Sequence, residues 1–216
     1  MTINIIVFLL PLLGGVDVMD MSAEYLATIG GLFGPLVVLE GEVWRLVSAM
    51  FLHGGIEHIM MNMLSLFIVG RSVEMLFSKI SYLVIYFFSA FIGSFVSIYF
   101  HPLSVGVGAS GAIFGLFGAL AGFVLVHRER MQNQFMEFMK SFGVLLVLNL
   151  GIGLAFPSVD LSAHIGGLIA GVVGGIFVAL NPRNVWFYIG LMMIVMYLFY
   201  NYLPLLYVNP DDVLYR

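Results

Sequence analysis

Six stretches of the chain, near residues 57–77, 82–100, 109–126, 141–156, 161–180 and 185–208, are apolar and carry few or no charges. Each is close to the roughly 20 residues that a helix needs to cross a bilayer. Nothing else in the sequence restricts the fold as strongly. In hydrocarbon every backbone amide and carbonyl must be satisfied internally, so each stretch is expected to be a helix packed on other helices. A further apolar run, Thr2–Val16, would be a helix of about 22 Å, short for a ~30 Å core. No Lys or Arg precedes Arg45, so the run does not read as a signal peptide. It is taken as a first membrane helix that starts abruptly, as though its leading turn preceded residue 1. The expectation is an all-α polytopic bundle with seven spans.

Composition excludes several classes of function. Only 9% of the residues are charged and 62% are apolar, against about 25% charged in ordinary soluble domains. Eight Lys and Arg against twelve Asp and Glu give a net charge of −4, so no basic patch can serve a phosphate backbone and no nucleic-acid partner is expected. A disordered chain and a conventional water-soluble enzyme are excluded too. With no cysteine, there are no disulfides, thiolate metal sites or cysteine nucleophiles, and the redox compartment stays open.

Alternating seven spans places Arg71, Lys79, Arg128, Arg130, Lys140 and Arg183 on one side, leaving Arg45 and Arg216 on the other. The positive-inside rule then puts the N-terminus in the cytoplasm and the C-terminus outside. That arrangement suits a prokaryotic cytoplasmic membrane, with an organelle membrane as the alternative. The long outer loop, about residues 17–55, carries Leu26, Leu32, Phe33, Leu36, Val37, Val38, Trp44 and Phe51 among its acids. It either lies in the membrane interface with Trp44 at headgroup level or packs over the bundle.

The informative residues are the polar ones inside the spans, which are costly in hydrocarbon and turn toward the bundle interior. His58 and Asn62 are four apart on one helix face. Ser110 stands in Gly108-Ala109-Ser110-Gly111, where an outer loop becomes a helix, and His164 stands in Ala163-His164-Ile165-Gly166-Gly167. Counted from the inner ends of their spans, all three fall about 24–25 Å up, at one level near the outer surface. Gly111, Gly115, Gly118 and Gly122 form one helix face, and Gly167, Gly171 and Gly175 form a stripe under His164. Faces of small residues let membrane helices approach closely, which would bring Ser110 and His164 together.

A serine hydroxyl becomes a nucleophile when a neutral imidazole takes its proton. His164 is the candidate base and Ser110 the candidate nucleophile. The Ser110 amide at a helix N-terminus, with His58 and Asn62, would supply donors to an oxyanion. No Asp or Glu is read beside His164 on its helix, so the pair is a dyad, with Phe114 as a candidate stacking partner for the imidazole. Ala112 stands where the hydrolase elbow G-x-S-x-G needs glycine, so that fold is not implied. Any one of these residues alone is more often a cap or a packing residue. Their conjunction at one depth carries the argument.

At these residues the sequence resembles the rhomboid family of intramembrane serine proteases. The resemblance runs from Trp44-Arg45 through the sixth span. It rests on His53, His58-xxx-Asn62, Gly70-xxx-Glu74, Gly108-Ala109-Ser110-Gly111 and Ala163-His164-xx-Gly167-xxx-Gly171. It implies a six-helix core, here over residues 1–180, with a water-filled cavity open to the outside; the seventh span and tail over 181–216 follow that core, an arrangement the family has in some members and lacks in others. It implies a Ser110–His164 dyad and an oxyanion site of His58, Asn62, Ser110 and Gly108. It also implies cleavage of single-span membrane proteins near their outer ends, with the fifth helix and the loop Phe156–Leu161 as gate and cap. No metal, nucleotide or other cofactor is implied.

Other polar residues read as structural. His53 is an interfacial histidine able to shape the cavity, His101 a loop residue and His127 a solvated residue on the inner side. Glu74, near the inner edge, is read as a cap or as pairing locally, with Arg71 as the candidate partner, and Asn149 as an interhelical hydrogen-bonder. Two further readings of the chain remain. A non-catalytic member would bind and escort transmembrane helices with the same fold. A transporter using His58 and His164 as a proton path finds no internal repeat to support it. The natural substrate and the oligomeric state are not encoded legibly.

Overall fold

The computed structural model describes residues 1–131 and 160–207, with single helical positions at 136, 140, 143, 144 and 147. The expected fifth span lies largely outside the described residues, as do Asn149 and most of the loop Phe156–Leu161. Helix α1, Thr2–Leu13, ends at Gly14 and Gly15, earlier than the run to Val16 suggested, because two consecutive glycines disfavour a further turn. The outer loop is not an extended tether. It folds into short helices α2 (Ala23–Thr28), α3 (Gly34–Val38) and α4 (Arg45–Ser48), with strand β1 (Leu32–Phe33) between the first two. Then follow α5 (Ile56–Leu76), α6 (Lys79–Phe100), strand β2 (Val105–Gly106), α7 (Ser110–Met131), α8 (Leu161–Leu180) and α9 (Val185–Tyr202). Among the described residues, five helices are long and apolar enough to cross a membrane: α5, α6, α7, α8, and α9 together with its flanking 3-10 turns, Pro182–Tyr207 in all.

Helix α7 is the axis of the bundle. Residues 111–120 are buried without interruption, as expected of a helix apolar on every side. On one side it meets α8, and the two run parallel. A methyl group on Gly167, Gly171 or Gly175 would overlap backbone of Gly111, Gly115 or Ala119. The two glycine stripes are therefore a backbone-to-backbone seam, the close approach that small residues permit. Helix α6 packs antiparallel against both. A Cβ on its Gly93 would stand 2.7 Å from the Ala163 carbonyl, and its Ser89 fills the notch at Gly115. Helix α9 leans on α6 through the Phe95–Phe199 stack, centroids 5.8 Å apart, and sends the fully buried Tyr188 against Gly174 of α8.

The outer loop is pinned to this frame at two points. Strands β1 and β2 pair antiparallel, Leu32 opposite Gly106, which ties the loop to the turn just before Ser110. Arg45 is 5% exposed and donates through Nη1 to the Ala27 and Gly31 carbonyls at 2.6 and 2.9 Å and through Nε to Glu42. Its guanidinium lies 4.7 Å from the centroid of the half-exposed Trp44 ring. Of the two readings of the loop, packing over the bundle describes these contacts, and Trp44 keeps an outward face.

Candidate active site

Helices α5, α7 and α8 begin at the same end of the bundle, and their first turns hold the polar residues singled out above. Ser110 is the first residue of α7, His58 the third of α5 and His164 the fourth of α8. The partial positive charge of three helix N-termini thus gathers where negative charge would develop. The opposite ends agree with this alignment, since Phe77 at the end of α5 meets Phe123 of α7 edge-to-face at 5.6 Å.

The turn before Ser110 depends on Gly108. Its φ is +117°, a conformation L side chains rarely adopt, and its amide donates to the Ala49 carbonyl at 2.9 Å. A Cβ at this position would sit 2.8 Å from His58 Nε2 and 3.8 Å from Ser110 Oγ. Because residue 108 is glycine, its backbone forms a small cradle against which the His58 imidazole rests, with the Ser110 hydroxyl close by. The Gly108 amide is committed to Ala49, so what Gly108 provides here is space and not a donor.

His58 is oriented from behind. Its Nδ1 accepts a long hydrogen bond, 3.4 Å, from the Gly54 amide. The proton of the neutral ring is thereby assigned to Nε2, on the cradle side. Asn62, one turn below and 5% exposed, donates from Nδ2 to the His58 carbonyl at 2.9 Å, while its Oδ1 is buried without a partner. The second Nδ2 hydrogen is available to another acceptor.

His164 is buried, and its ring lies flat on Phe114, centroids 4.2 Å apart and 10° from parallel. This is the stacking partner expected from the sequence. Its Nδ1 has no hydrogen-bond partner. The structure brings Ser110 and His164 to the same end of one helix pair but makes no hydrogen bond between them. Catalytic hydrogen bonds are often long or misaligned before substrate binds.

One reading needs correction. An acidic residue does lie near His164 on its helix: Asp160, four positions earlier, is the N-cap of α8. Its carboxylate accepts from the Ala163 amide at 3.1 Å and from Ser162 Oγ at 2.5 Å, so its hydrogen bonds go to the helix end, and the His164 Nδ1 receives none. An Asp placed just before an apolar run is the sequence signal for such a cap. Three further residues differ from expectation. His127 is half-buried, stacks on Phe123 at 4.3 Å and places Nδ1 3.0 Å from the Phe123 carbonyl. Arg71 and Glu74 form no ion pair; among the described residues the ion pair present is Arg45–Glu42. His53 is 1% exposed and lies edge-to-face on His58, centroids 5.2 Å apart. Gly93, which admits the Ala163 carbonyl beside His164, had no distinguishing signal in the sequence. No group of three or more His, Cys, Asp or Glu side chains that could hold a metal occurs among the described residues.

The fold and this site define a polytopic helical membrane protein with a serine, two histidines and an asparagine gathered at one end of its bundle. The model of the Rhomboid domain matches residues 40–181. The chain is 39% identical over 165 residues to RHOMBOID-like protein 6, mitochondrial, of Arabidopsis thaliana, covering 76% of this chain and 53% of that protein. It is 38% identical over 168 residues to Rhomboid protease GluP of Bacillus subtilis (strain 168), covering 76% of this chain and 31% of that protein. With RHOMBOID-like protein 4 of Arabidopsis thaliana it shares 37% over 176 residues, 82% of this chain and 43% of that protein. The chain belongs to the rhomboid family. It spans about half the length of these curated relatives, or less.

Proposed function

We propose that the chain is an intramembrane serine endopeptidase that cleaves single-span membrane proteins near the outer end of their transmembrane segment. The observation that carries this is the convergence at Gly108, whose Cβ position would lie 2.8 Å from His58 Nε2 and 3.8 Å from Ser110 Oγ, so that the imidazole and the hydroxyl flank one turn of backbone. An oxyanion formed on Ser110 would therefore develop beside a positioned N–H donor. Ser110 Oγ attacks the scissile carbonyl and His164 takes its proton. The oxyanion accepts from His58 Nε2–H, the Ser110 amide and the free Asn62 Nδ2 hydrogen, within the field of three helix N-termini. His164 then gives the proton to the leaving amine, and a water deprotonated by the same imidazole releases the acyl group from Ser110. Phe114 fixes the plane of the base, the task that an acid performs in a triad.

The substrate class follows from position. The reacting groups sit in the first turns of their helices, so a bond reaching them lies at the membrane's rim and not at its centre. The basic residues place that rim on the outer side, with the N-terminus of this chain in the cytoplasm.

The test is labelling of the detergent-purified protein with a fluorescent phosphonate, together with cleavage of a model single-span substrate. Labelling and cleavage are expected in the parent and lost in Ser110→Ala and His164→Ala. A Ser110→Ala protein that cleaves at the parent's rate would refute the assignment. A folded parent that binds the substrate without turning it over would instead favour an escort of transmembrane helices.

A further inference from the structure

His53 has no task in the mechanism above, yet it is 1% exposed and touches His58 directly. Neither of its ring nitrogens has a hydrogen-bond partner. Burial first, and then the neighbouring His58, push its pKa down to about 3, against a weaker opposing pull from the Phe51 carbonyl. The ring is therefore uncharged near neutral pH and brings neither a charge nor an exchangeable proton to the site. With no well-formed hydrogen bond, and the Phe51 carbonyl only a weak neighbour, the neutral imidazole acts through its shape, and its poorly satisfied nitrogens cost free energy that a phenyl ring would not.

The surroundings of His58 give that shape a use. In front, Nε2 faces the cradle at Gly108. Behind, Nδ1 is held by the Gly54 amide at a weak 3.4 Å. The His53 ring, next in the chain to Gly54, meets the imidazole edge-to-face, centroids 5.2 Å apart at 68°. Gly55, next in the chain, is packed against the Met19 carbonyl, which covers the same loop from outside. The titratable groups nearby are Glu57 on α5, Asp20 over Gly55, and His164 of α8. Water admitted behind the ring would compete for Nδ1 and free the imidazole to turn.

We infer that His53 is a positioning residue, a ring whose edge-to-face contact keeps His58 in the one rotamer and tautomer presenting Nε2–H to the cradle. The inference rests on the oxyanion role given to His58, so its test includes an arm that needs no turnover. His53→Ala and His53→Phe are compared with the parent by kcat and KM on a model single-span substrate, and by the 15N ring signals of His58 in histidine-labelled protein. His53→Ala is expected to lose kcat by about 100-fold, the scale of a ~1 Å misplacement, with KM unchanged and His58 in a mixture of tautomers. His53→Phe is expected to restore both kcat and the single tautomer. Should His53→Ala fail to fold, His53→Leu, which keeps volume without a flat ring, takes its place. A folded His53→Phe as impaired as His53→Ala would overturn the inference by assigning the work to the ring nitrogens, and so would a His53→Ala with the parent's kcat. A parent that cleaves nothing, yet shows one His58 tautomer lost in His53→Ala and regained in His53→Phe, would sink the protease reading and uphold the positioning role.

Discussion

Gly108→Ala asks more of this site than removal of the serine, because it changes one methyl group and leaves every reacting atom in place. Two costs can be separated. The backbone at 108 has φ +117°, and holding an L side chain in such a region costs about 1–3 kcal/mol. For a chain of this size that corresponds to a Tm lowered by roughly 2–12 °C. The second cost is steric. The new Cβ would lie 2.8 Å from His58 Nε2 and 2.9 Å from its Cε1, about 0.6 Å short of the 3.4 Å at which ordinary contact begins. The imidazole must therefore shift away from residue 108. An oxyanion that depends on the Nε2–H donor would lose it, and loss of one such donor costs about 10²–10³ in kcat.

The assay is cleavage of a model single-span substrate in detergent, with Tm measured on the same samples so that misfolding is not mistaken for lost chemistry. Gly106→Ala is the control. Its Cβ would meet Leu32 side-chain atoms at 3.4 Å and its φ is not positive, so both kcat and Tm should stay near the parent's. A folded Gly108→Ala with kcat within threefold of the parent would refute the reasoning, since the oxyanion could then not depend on where His58 Nε2 is held.

Four further outcomes are expected. Asp160→Ala should lose about 0.5–2 kcal/mol of stability with its cap, while Asp160→Asn, which still caps, should keep kcat within a few-fold. A drop near 10⁴ in Asp160→Asn would instead make Asp160 a triad acid. Phe114→Ala removes a ring that is 3% exposed and stacked on His164; it should cost about 3–5 kcal/mol, and Phe114→Leu should lower kcat more than Tm. Gly167→Ala puts a methyl into the Gly111 carbonyl, so thermal melting should drop and phosphonate labelling of Ser110 should fall with it. Finally, His53 binds a proton more readily unfolded, at about 6.5, than folded, at about 3. Its contribution to stability is therefore full above pH 6.5 and declines as pH falls through that window, by up to about 1.4 kcal/mol per unit. Tm measured from pH 7 to 4 should fall less in His53→Phe than in the parent.

The membrane helices were legible because their signal is repeated over 20 residues at a time, and the seam between α7 and α8 because glycine at every fourth position has few other uses in a span. The loop before α5 was not legible to the same degree. Its order comes from Arg45, whose donors go to the Ala27 and Gly31 carbonyls, and a backbone carbonyl has no letter in the sequence. The antiparallel pairing of Leu32 and Phe33 with Val105 and Gly106 is two residues long and some 70 residues apart, which is below what alternation of polarity can reveal.

Within the site the same division holds between what side chains state and what backbone geometry adds. The residue types named the chemistry: a hydroxyl, an imidazole and two side-chain donors at one depth. The conformation of Gly108 and the space it clears depend on how the Ala49 carbonyl fixes its amide, so the sequence could mark the glycine but not its function. Asp160 stands directly before an apolar run, so its letter marks a helix cap more than a partner for the base. Once the cap is seen, the acid nearest the base is already occupied, and the orientation of His164 falls to an aromatic face. His58 is held likewise by a ring and a single amide. In an interior short of charge, both imidazoles of the site thus rest on a neighbouring ring, His164 face to face on Phe114 and His58 edge-to-face with His53, which is why substitutions that keep a ring, at 53 or 114, separate positioning from chemistry more cleanly than substitutions that remove one.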